Sequence, residues 1–492
     1  MNTLKRTLAL VATLAMASTA FASCGSDDSS SSSSKADEAT KAADEATTAE
    51  AGNDTTEAPA DTTEAPAPSG TGNSTELGEV TLKTGGDQFT VAAWNPDDAP
   101  ALIDLWAANG GDKSKVNFIN FDCGGGKASE KYDALFASGD DLDVYFAEAD
   151  WALKYINDDT RTAPLEALGF SEDNFTDTYA YTNEIGRATA GANAGKLVGA
   201  SWQAAAGGFA YRTDLAKEYL DVNTPEEMQS KIDGWENFVA AATTVAEKSS
   251  GKVALADSLG GMWQVFAANR TQPWVVDGLL EIDDSCKTFA DYAKTLWDNG
   301  GVTHNAQWTD AWIPAGKDGS CMGYFVSTWG FGEKAFFGQA SSDSYGKWAV
   351  VQGPDKYFWG GTWIVVNPKT DNADDAQQFI FNAVVNPETM KSYALSKPEY
   401  VNNVSVMQEI VDKNECPNKY VTDNLGGQNY FAELHENAKN INLKDLITPY
   451  DATIKNAFIT AVTEDYLQGG KSWEEVEDRV YADVKAAVPE LS

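Results

Sequence analysis

The sequence predicts an α/β protein with parallel sheets, because short strand-like apolar runs alternate with longer helix-like runs. From about Val80 the pattern repeats three times: "FTVAAW" before "APALIDLWAANGG", "VNFINFD" before "ASEKYDALFASG", and "LDVYFAE" before "WALKYIND". This alternation is typical of parallel sheets, in which ligands bind beyond the carboxyl ends of the strands. The first strand end carries Trp94. The third carries Glu148, with Asp150 and Trp151 directly after it.

The later elements follow the same rules. "TPEEMQSKIDGW" begins with Thr224 and Pro225, a side-chain cap followed by a proline that suits the first helical turn. "CMGYFVSTWGFG", "KWAVVQGP" and "GGTWIVVNP" are strand-like. Asn372 to Val385 and most of roughly the last sixty residues have helical patterning.

The charge balance argues against one class of partner. The chain has 36 basic and 74 acidic residues, a net charge of −38. Such a surface repels phosphate backbones, so nucleic acid is not expected as a partner.

The N-terminus has the pattern of an export signal. Lys5 and Arg6 precede "TLALVATLAMASTAFA", an apolar run too short to span a membrane. It ends in "FASC" before Gly25, which resembles a bacterial lipobox with Cys24 as the lipidated residue. We therefore expect residues 1–23 to be a lipoprotein signal peptide and the mature chain to be lipid-anchored on the extracellular face of a bacterial membrane. Ordinary cleavage after "AFA" is the alternative, and it would leave Cys24 as a thiol.

Residues 24–77 are predicted to be a disordered tether. They contain "SSSSSS", "DEAT" twice and "TTEAPA" twice, and no aromatic residue. A segment of this composition cannot bury enough apolar surface to offset its chain entropy. The folded domain is therefore expected over residues 78–492.

The remaining cysteines allow disulfides but do not fix their pairing. Beyond Cys24 the chain has four cysteines, and an exported protein permits disulfides. Cys286 with Cys321 is the expected pair, and free buried thiols are the alternative. The chain has no CxxC pair and only two histidines, so neither a zinc site nor another cofactor is expected.

Glu148 and Asp150 beside Trp151 could be a glycosidase pair, but other features argue against catalysis. On a regular strand both side chains would point the same way, about 7 Å apart, whereas glycosidase carboxylates normally come from different elements. The chain has no GxSxG or HExxH, and "GGGKAS" from Gly124 is not a P-loop. We therefore predict that the protein is not an enzyme.

Several segments together resemble a known family. They are "AGKLVGASWQAAAGGFAYRTDLAKEY", "GWENFVAAATTV", "GKDGSCMGYFVSTWGFG" and "FWGGTWIVVNPKTDNADDAQQFIFNAVVNPETMKSY". In this order and spacing, from about Val80 to the C-terminus, they resemble the extracellular solute-binding lipoproteins of carbohydrate ABC transporters, the maltodextrin-binding-protein-like family.

The resemblance implies a two-lobed periplasmic-binding-protein fold with a hinge and a ligand cleft between the lobes. Lobe one would be about 80–199 and 331–385, and lobe two about 204–326 and 386–468. The chain would cross near Ser201–Gln203, Ser327–Gly330 and Val385. The C-terminal helix, 473–491, is assigned to neither lobe.

The resemblance also implies candidate ligand contacts. Crossing segments form the cleft floor in this family, which adds Trp202, Gln203 and Trp329 to the four strand-end residues. Trp263 and Gln264 in "LGGMWQVFAANR" and Trp359 in "YFWGG" are further candidates, because glycines in these segments let the backbone approach a ligand. Aromatic rings can cover the apolar face of a sugar, and carboxylates can orient its hydroxyls. Core packing is the alternative for each tryptophan.

The expected function is to bind an extracellular oligosaccharide between closing lobes and deliver it to an ABC permease, with the protein a monomer. Two alternatives stay open. One is an importer protein for peptides or polyamines, and the other is a surface-anchored protein that binds or degrades polysaccharides.

Overall fold

The structure is a computed structural model that describes residues 81–121, 125–139, 141–331, 343–397, 399–416 and 419–491. The expected signal peptide, Cys24 and the tether lie outside the described residues. The described residues belong to one compact unit. The strands are β1 (Phe89–Ala93), β2 (Val116–Asn120), β3 (Val144–Glu148), β4 (Gly199–Ser201), β5 (Gly207–Arg212), β6 (Ala254–Ala256), β7 (Val275–Val276), β8 (Leu279–Leu280), β9 (Cys321–Ser327), β10 (Trp348–Val351) and β11 (Thr362–Val366).

The helices are α1 (Asp98–Ala108), α2 (Gly125–Ser138), α3 (Ala149–Ile156), α4 (Ala180–Gly186), α5 (Thr213–Leu220), α6 (Pro225–Ile232), α7 (Trp235–Ser249), α8 (Leu259–Ala267), α9 (Asp284–Asn299), α10 (Trp312–Asp318), α11 (Ala373–Ile380), α12 (Pro387–Ser396), α13 (Val404–Asp412), α14 (Lys419–Asn424), α15 (Tyr430–Asn440), α16 (Asp451–Ala461) and α17 (Trp473–Ala487). Thr224 caps α6 as predicted, since its side chain accepts a hydrogen bond from the Glu227 amide. Within the described ranges, no helix is both long and apolar enough to cross a lipid bilayer.

The first sheet has the strand order β2-β1-β3-β11-β4. β1 runs parallel to β2 and β3, as the alternating pattern predicts, while β11 runs antiparallel to β3 and β4. All five residues of β1 are buried, which matches a central strand with helices on both faces. The carboxyl ends of β1 and β3 therefore meet at one edge of this lobe.

The second sheet has the order β10-β5-β9-β6 and is mixed rather than parallel. β5 pairs antiparallel with both neighbours, and only β6 and β9 are parallel. β10 lies within 331–385, a range expected in lobe one, yet Trp348 pairs with Arg212 of β5. The structure therefore differs from the expected assignment at this strand, because a strand-like run does not reveal which sheet it joins.

Three segments join the two lobes side by side, at 202–206, 357–361 and 399–403. Gln203 forms an antiparallel bridge with Val401, and Ala206 forms one with Phe358. The first crossing lies next to its expected position, but the other two do not. The chain returns to the first sheet only after β10, and the segment that ends at Val385 is a π-helical turn packed on α1 of lobe one.

The C-terminal helix belongs to the second lobe. α17 packs on α16, and Trp473 at its start lies 6.4 Å from the Phe458 ring of α16. Phe458 in turn contacts Trp263 of α8, with ring centroids 4.9 Å apart. The last helices thus complete the wall of lobe two that carries Trp263.

The expected Cys286–Cys321 disulfide is wrong, since both thiols are free and buried. Cys286 lies in the first turn of α9, while Cys321 begins β9 and donates a hydrogen bond to the Gly323 carbonyl. Burial raises the pKa of Cys286 to about 12 and also raises that of Cys321. Each thiol is therefore held protonated in the packing of its own element.

Candidate functional site

A cavity of about 130 Å³ lies between the two lobes and against the second crossing segment. Asp150 and Leu153 line it from lobe one, Trp359 from the crossing, and Trp263 and Lys455 from lobe two. A larger open groove, about 460 Å³, runs along α13 on the surface.

The turn from β3 into α3 places the two carboxylates at this cavity. β3 ends at Glu148, whose side chain caps α3 by accepting a hydrogen bond from the Asp150 amide at 3.0 Å. Asp150 therefore lies in the first helical turn and not on a continuing strand, which corrects the strand geometry expected from sequence. The same turn directs Trp151 into the core, where its ring lies 5.4 Å from Tyr132 and 5.7 Å from Tyr155.

An ion pair joins the lobes across the cavity. Lys455 Nζ of α16 lies 2.8 Å from Asp150 Oδ1 of α3. The charge of Lys455 lowers the pKa of Asp150. Burial opposes the charge of Lys455, but Asp150 outweighs it and raises the Lys455 pKa. Burial, reinforced by the charge of Asp150, raises the pKa of Glu148.

A second ion pair lies within the wall of lobe two. Arg270 Nη2 donates to Asp451 Oδ2 at 2.9 Å, and the two side chains are 5% and 14% exposed. The guanidinium also lies over the Trp274 ring, 4.7 Å from its centroid. Burial raises the pKa of Asp451, and the charge of Arg270 opposes that rise. Both members of the pair and Trp274 line the cavity.

Tryptophans form the aromatic part of the site. Trp359 lines the cavity, and its carbonyl accepts a hydrogen bond from Trp329 Nε1 at 2.9 Å. Gly360 lies between the side chains of Trp329 and Glu148. Its backbone φ of 80° would be strained for any residue that carries a side chain. Trp308 is 38% exposed and its ring lies 5.9 Å from Trp359, which extends the aromatic surface out of the cavity.

The crossing segments beside the cavity contain a carboxyl group, that of Glu399. Gln203 Nε2 and Thr328 Oγ1 each donate to the Glu399 carboxylate, at 3.3 and 3.1 Å. Burial, reinforced by the charge of Asp98, raises the pKa of Glu399 to about 8. A carboxyl group in this setting is largely protonated at neutral pH.

The structure brings together only part of the sequence-predicted site. Four of the ten candidates line the cavity: Asp150, Trp263, Gln264 and Trp359. Two border it through the second crossing, Glu148 and Trp329. Trp202 is fully buried against Phe146, with ring centroids 5.1 Å apart, and Trp151 lies in the core of lobe one. Trp94 is half-buried beyond β1, and Gln203 contacts Glu399.

Sequence reasoning missed the charged residues of lobe two: Arg270, Asp451 and Lys455. Asp451 and Lys455 are four apart on α16, so they share a helix face, but no local pattern shows that this face meets the cleft. Arg270 and Trp274 follow α8 in "NRTQPW", where an arginine close to a tryptophan is a weak signal of a stacked pair.

A group of acidic side chains lies near the amino-terminal end of β3, away from the carboxyl ends. Asp141, Asp143 and Asp371 have carboxylate oxygens within 4.8 Å of one another, a spacing that could hold a metal ion. Asp143 already accepts hydrogen bonds from the Thr90 amide and from Asn372 Nδ2. These bonds account for its position within the fold.

The comparisons with known proteins agree with this architecture. A family of bacterial extracellular solute-binding proteins matches residues 101–419. No curated protein matches the sequence. Among solved structures, an extracellular solute-binding protein of family 1 is 17% identical with a TM-score of 0.68, over 82% of this chain and 100% of that chain.

Two further structures come from bifidobacteria. The galacto-N-biose-/lacto-N-biose I-binding protein of the ABC transporter from Bifidobacterium longum is 18% identical with a TM-score of 0.60, over 83% of this chain and 98% of that one. The ABC transporter associated binding protein from B. animalis subsp. lactis Bl-04, in complex with β-1,6-galactobiose, is 18% identical with a TM-score of 0.58, over 82% and 97%. The two lobes, the three crossings and the family match lead to one conclusion: the chain belongs to the bacterial extracellular solute-binding protein family.

Proposed function

We propose that this protein binds an oligosaccharide between its two lobes and delivers it to an ABC import permease. The observation that carries the proposal is the cavity between the lobes, where Trp263, Trp274 and Trp359 supply flat apolar rings beside paired charged side chains. Aromatic faces with a few fixed polar groups are suited to a sugar ring, which has an apolar C–H face and polar edges. Structural neighbours were solved with β-1,6-galactobiose, lacto-N-biose and acarbose.

Binding without catalysis is part of the proposal. Asp150 is engaged with Lys455 across the lobes, and Glu148 caps α3. A ligand that contacts Asp150 on one lobe and Trp263 on the other would stabilise the closed arrangement through its higher affinity for that state. The closed form would then dock on the permease as a monomer.

The test is a calorimetric titration of residues 78–492 with α- and β-linked oligosaccharides of two to six rings. We expect saturable binding to one linkage class, with an affinity that improves over a few rings and then stays constant because the cleft is bounded. A folded protein that binds amino acids, peptides or polyamines but none of the sugars would contradict the proposal. Affinity that keeps rising with polymer length would favour a surface polysaccharide binder.

The membrane location is proposed from the sequence around Cys24. We expect the wild-type chain to partition into the bacterial membrane fraction and to carry a lipid-sized mass increment on Cys24. Cys24→Ser should release it, because one covalent lipid is the anchor. If both forms partition identically in fractionation and mass spectrometry, the anchor is wrong.

A further inference from the structure

The cavity wall of lobe two contains hydrogen-bond donors that the protein does not satisfy. Arg270 lines the cavity, and its side chain is only 5% exposed. Its Nη2 donates to Asp451, but Nε and Nη1 have no acceptor among the described residues. Buried N–H groups in native proteins almost always have an acceptor, since an unsatisfied one is costly. Two such groups on one buried side chain therefore point to an acceptor that binds there.

Trp263 supplies a third donor beside the same cavity. Its residue is 2% exposed, and its Nε1 has no partner within the described part of the chain. Four other tryptophans share this feature, but none of them lines the cavity: Trp94, Trp151, Trp202 and Trp348. By contrast, the Trp329 indole donates to the Trp359 carbonyl. Trp263 and Arg270 are thus independent side chains that leave donors unsatisfied at one cavity.

The charges around the cavity restrict the ligand. Arg270 with Asp451 and Lys455 with Asp150 form two ion pairs, so these four side chains sum to zero. A charged ligand group beside Arg270 and Asp451, whose side chains are only 5% and 14% exposed, would add an uncompensated charge where little solvent reaches, which is unfavourable. A carboxylate could satisfy the three donors, but it would also lie close to Asp150 and Asp451. An uncharged oxygen satisfies the donors without that repulsion.

We propose that Trp263, Arg270 and Asp451 form a subsite for one uncharged sugar ring, whose oxygens accept hydrogen bonds from Arg270 and Trp263. This inference rests on the proposed function and specifies the ligand class of the same site. The Trp274 ring, 4.7 Å from Arg270 Cζ, holds the guanidinium at this wall by a cation–π contact. The cavity is smaller than the roughly 300–1,000 Å³ of usual ligand pockets. Further rings of an oligosaccharide would therefore extend past Trp359 toward the exposed ring of Trp308.

The experiment uses two variants and a control in the full chain. Arg270→Lys keeps a positive charge near Asp451 but removes the guanidinium donors. Trp263→Phe keeps an aromatic ring but removes Nε1–H. Arg479→Lys is the matched control. Arg479 lies on α17, pairs with Glu464 in the segment directly after α16, and does not line the cavity. Circular-dichroism melting of each variant establishes that it is folded.

The probes are β-1,6-galactobiose, lacto-N-biose and maltotriose as neutral sugars, with digalacturonate and the glucosamine dimer as charged counterparts. We expect a neutral probe to bind best. Arg270→Lys should weaken it roughly tenfold to hundredfold and Trp263→Phe roughly twofold to tenfold, as expected for lost hydrogen bonds to charged and neutral donors. Arg479→Lys should change affinity less than twofold.

Each other outcome is decisive. If a charged probe binds most tightly, the uncharged-ring assignment is overturned while sugar binding stands. If a neutral probe binds but neither variant weakens it, the subsite is overturned and the proposed function stands. If Arg270→Lys fails to fold, Trp263→Phe alone decides, and unchanged affinity overturns the subsite. If the wild type binds none of the five probes, both the proposed function and the subsite are overturned.

Discussion

The cavity wall and the crossing segments differ in the partners that they give to their acidic side chains. Around the cavity, each acid has a base as its partner: Asp451 with Arg270, and Asp150 with Lys455. On the crossing floor, Glu399 accepts hydrogen bonds from neutral donors, the side chains of Gln203 and Thr328 and the backbone amide of Tyr400. In the first arrangement, the charge of each base favours the ionised form of its acid. The second loses its charge by protonation, since the pKa of Glu399 is raised to about 8.

The difference suggests separate roles for the two regions. Ion pairs fix polar groups in one orientation, which suits a wall that must present donors to a ligand. A protonated carboxyl between crossing strands adds no net charge to the segments that must bend when the lobes move. We therefore expect charge removal to affect the two regions differently.

The largest expected effect is at Asp451. Asp451→Ala leaves Arg270 buried without its partner, and breaking such a pair should lower the free energy of unfolding by about 3–5 kcal/mol. The control is Lys287→Met, which removes a partner of Asp291 from a pair whose side chains are 47% and 46% exposed. That change should cost less than about 1 kcal/mol. Equal losses of both variants in urea unfolding would contradict the distinction between buried and exposed pairs.

The next effect concerns pH and Glu399. Because its folded pKa lies above the usual value of 4.5, the folded state binds the proton more tightly than the unfolded state. Glu399 therefore contributes stability that is present below about pH 4.5 and is lost as the pH rises to about 8. Glu399→Gln should remove this part of the pH dependence and become the more stable form at about pH 9, as read from melting temperatures. Parallel pH profiles for the two proteins would show that Glu399 is ionised in the fold.

The smallest effect is at the pair between the lobes. Asp150 is 67% exposed, so its pair with Lys455 should stabilise the closed arrangement by only about 0.2–1 kcal/mol. Asp150→Asn should therefore raise the mean distance between fluorophores on the two lobes slightly, and only at low salt. High salt should bring wild type and variant to the same distance, because it screens exposed pairs. A difference that persists at about 1 M salt would mean that the variant acts through packing.

Much of the fold could be predicted from the sequence because its signals are local. β1, β2 and β3 follow from apolar runs, and the start of α6 follows from Thr224 and Pro225. The position of β10 could not be predicted, because its pairing with β5 depends on residues more than a hundred positions away. For the same reason the second and third crossings were expected too early in the chain.

The candidate site was less predictable than the fold. The sequence predicts a strand end at Glu148, but it does not show that α3 begins directly after it. Because successive residues of a helix face different directions, Asp150 lines the cavity while Trp151 packs in the core. Trp263 is a candidate from its segment "LGGMWQVFAANR", and it lines the cavity. Asp451 and Lys455 reach the site through the docking of α16 on α8, and no local pattern specifies that contact.

The most direct test of the account is a crystal structure of the protein grown with the tightest-binding oligosaccharide of the titration panel. The account predicts density for the sugar between the two lobes, with one ring between Trp263 and Trp359 and an oxygen within about 3 Å of Arg270 Nε or Nη1. Density for the sugar outside the cleft, with the Arg270 donors still unsatisfied, would contradict it.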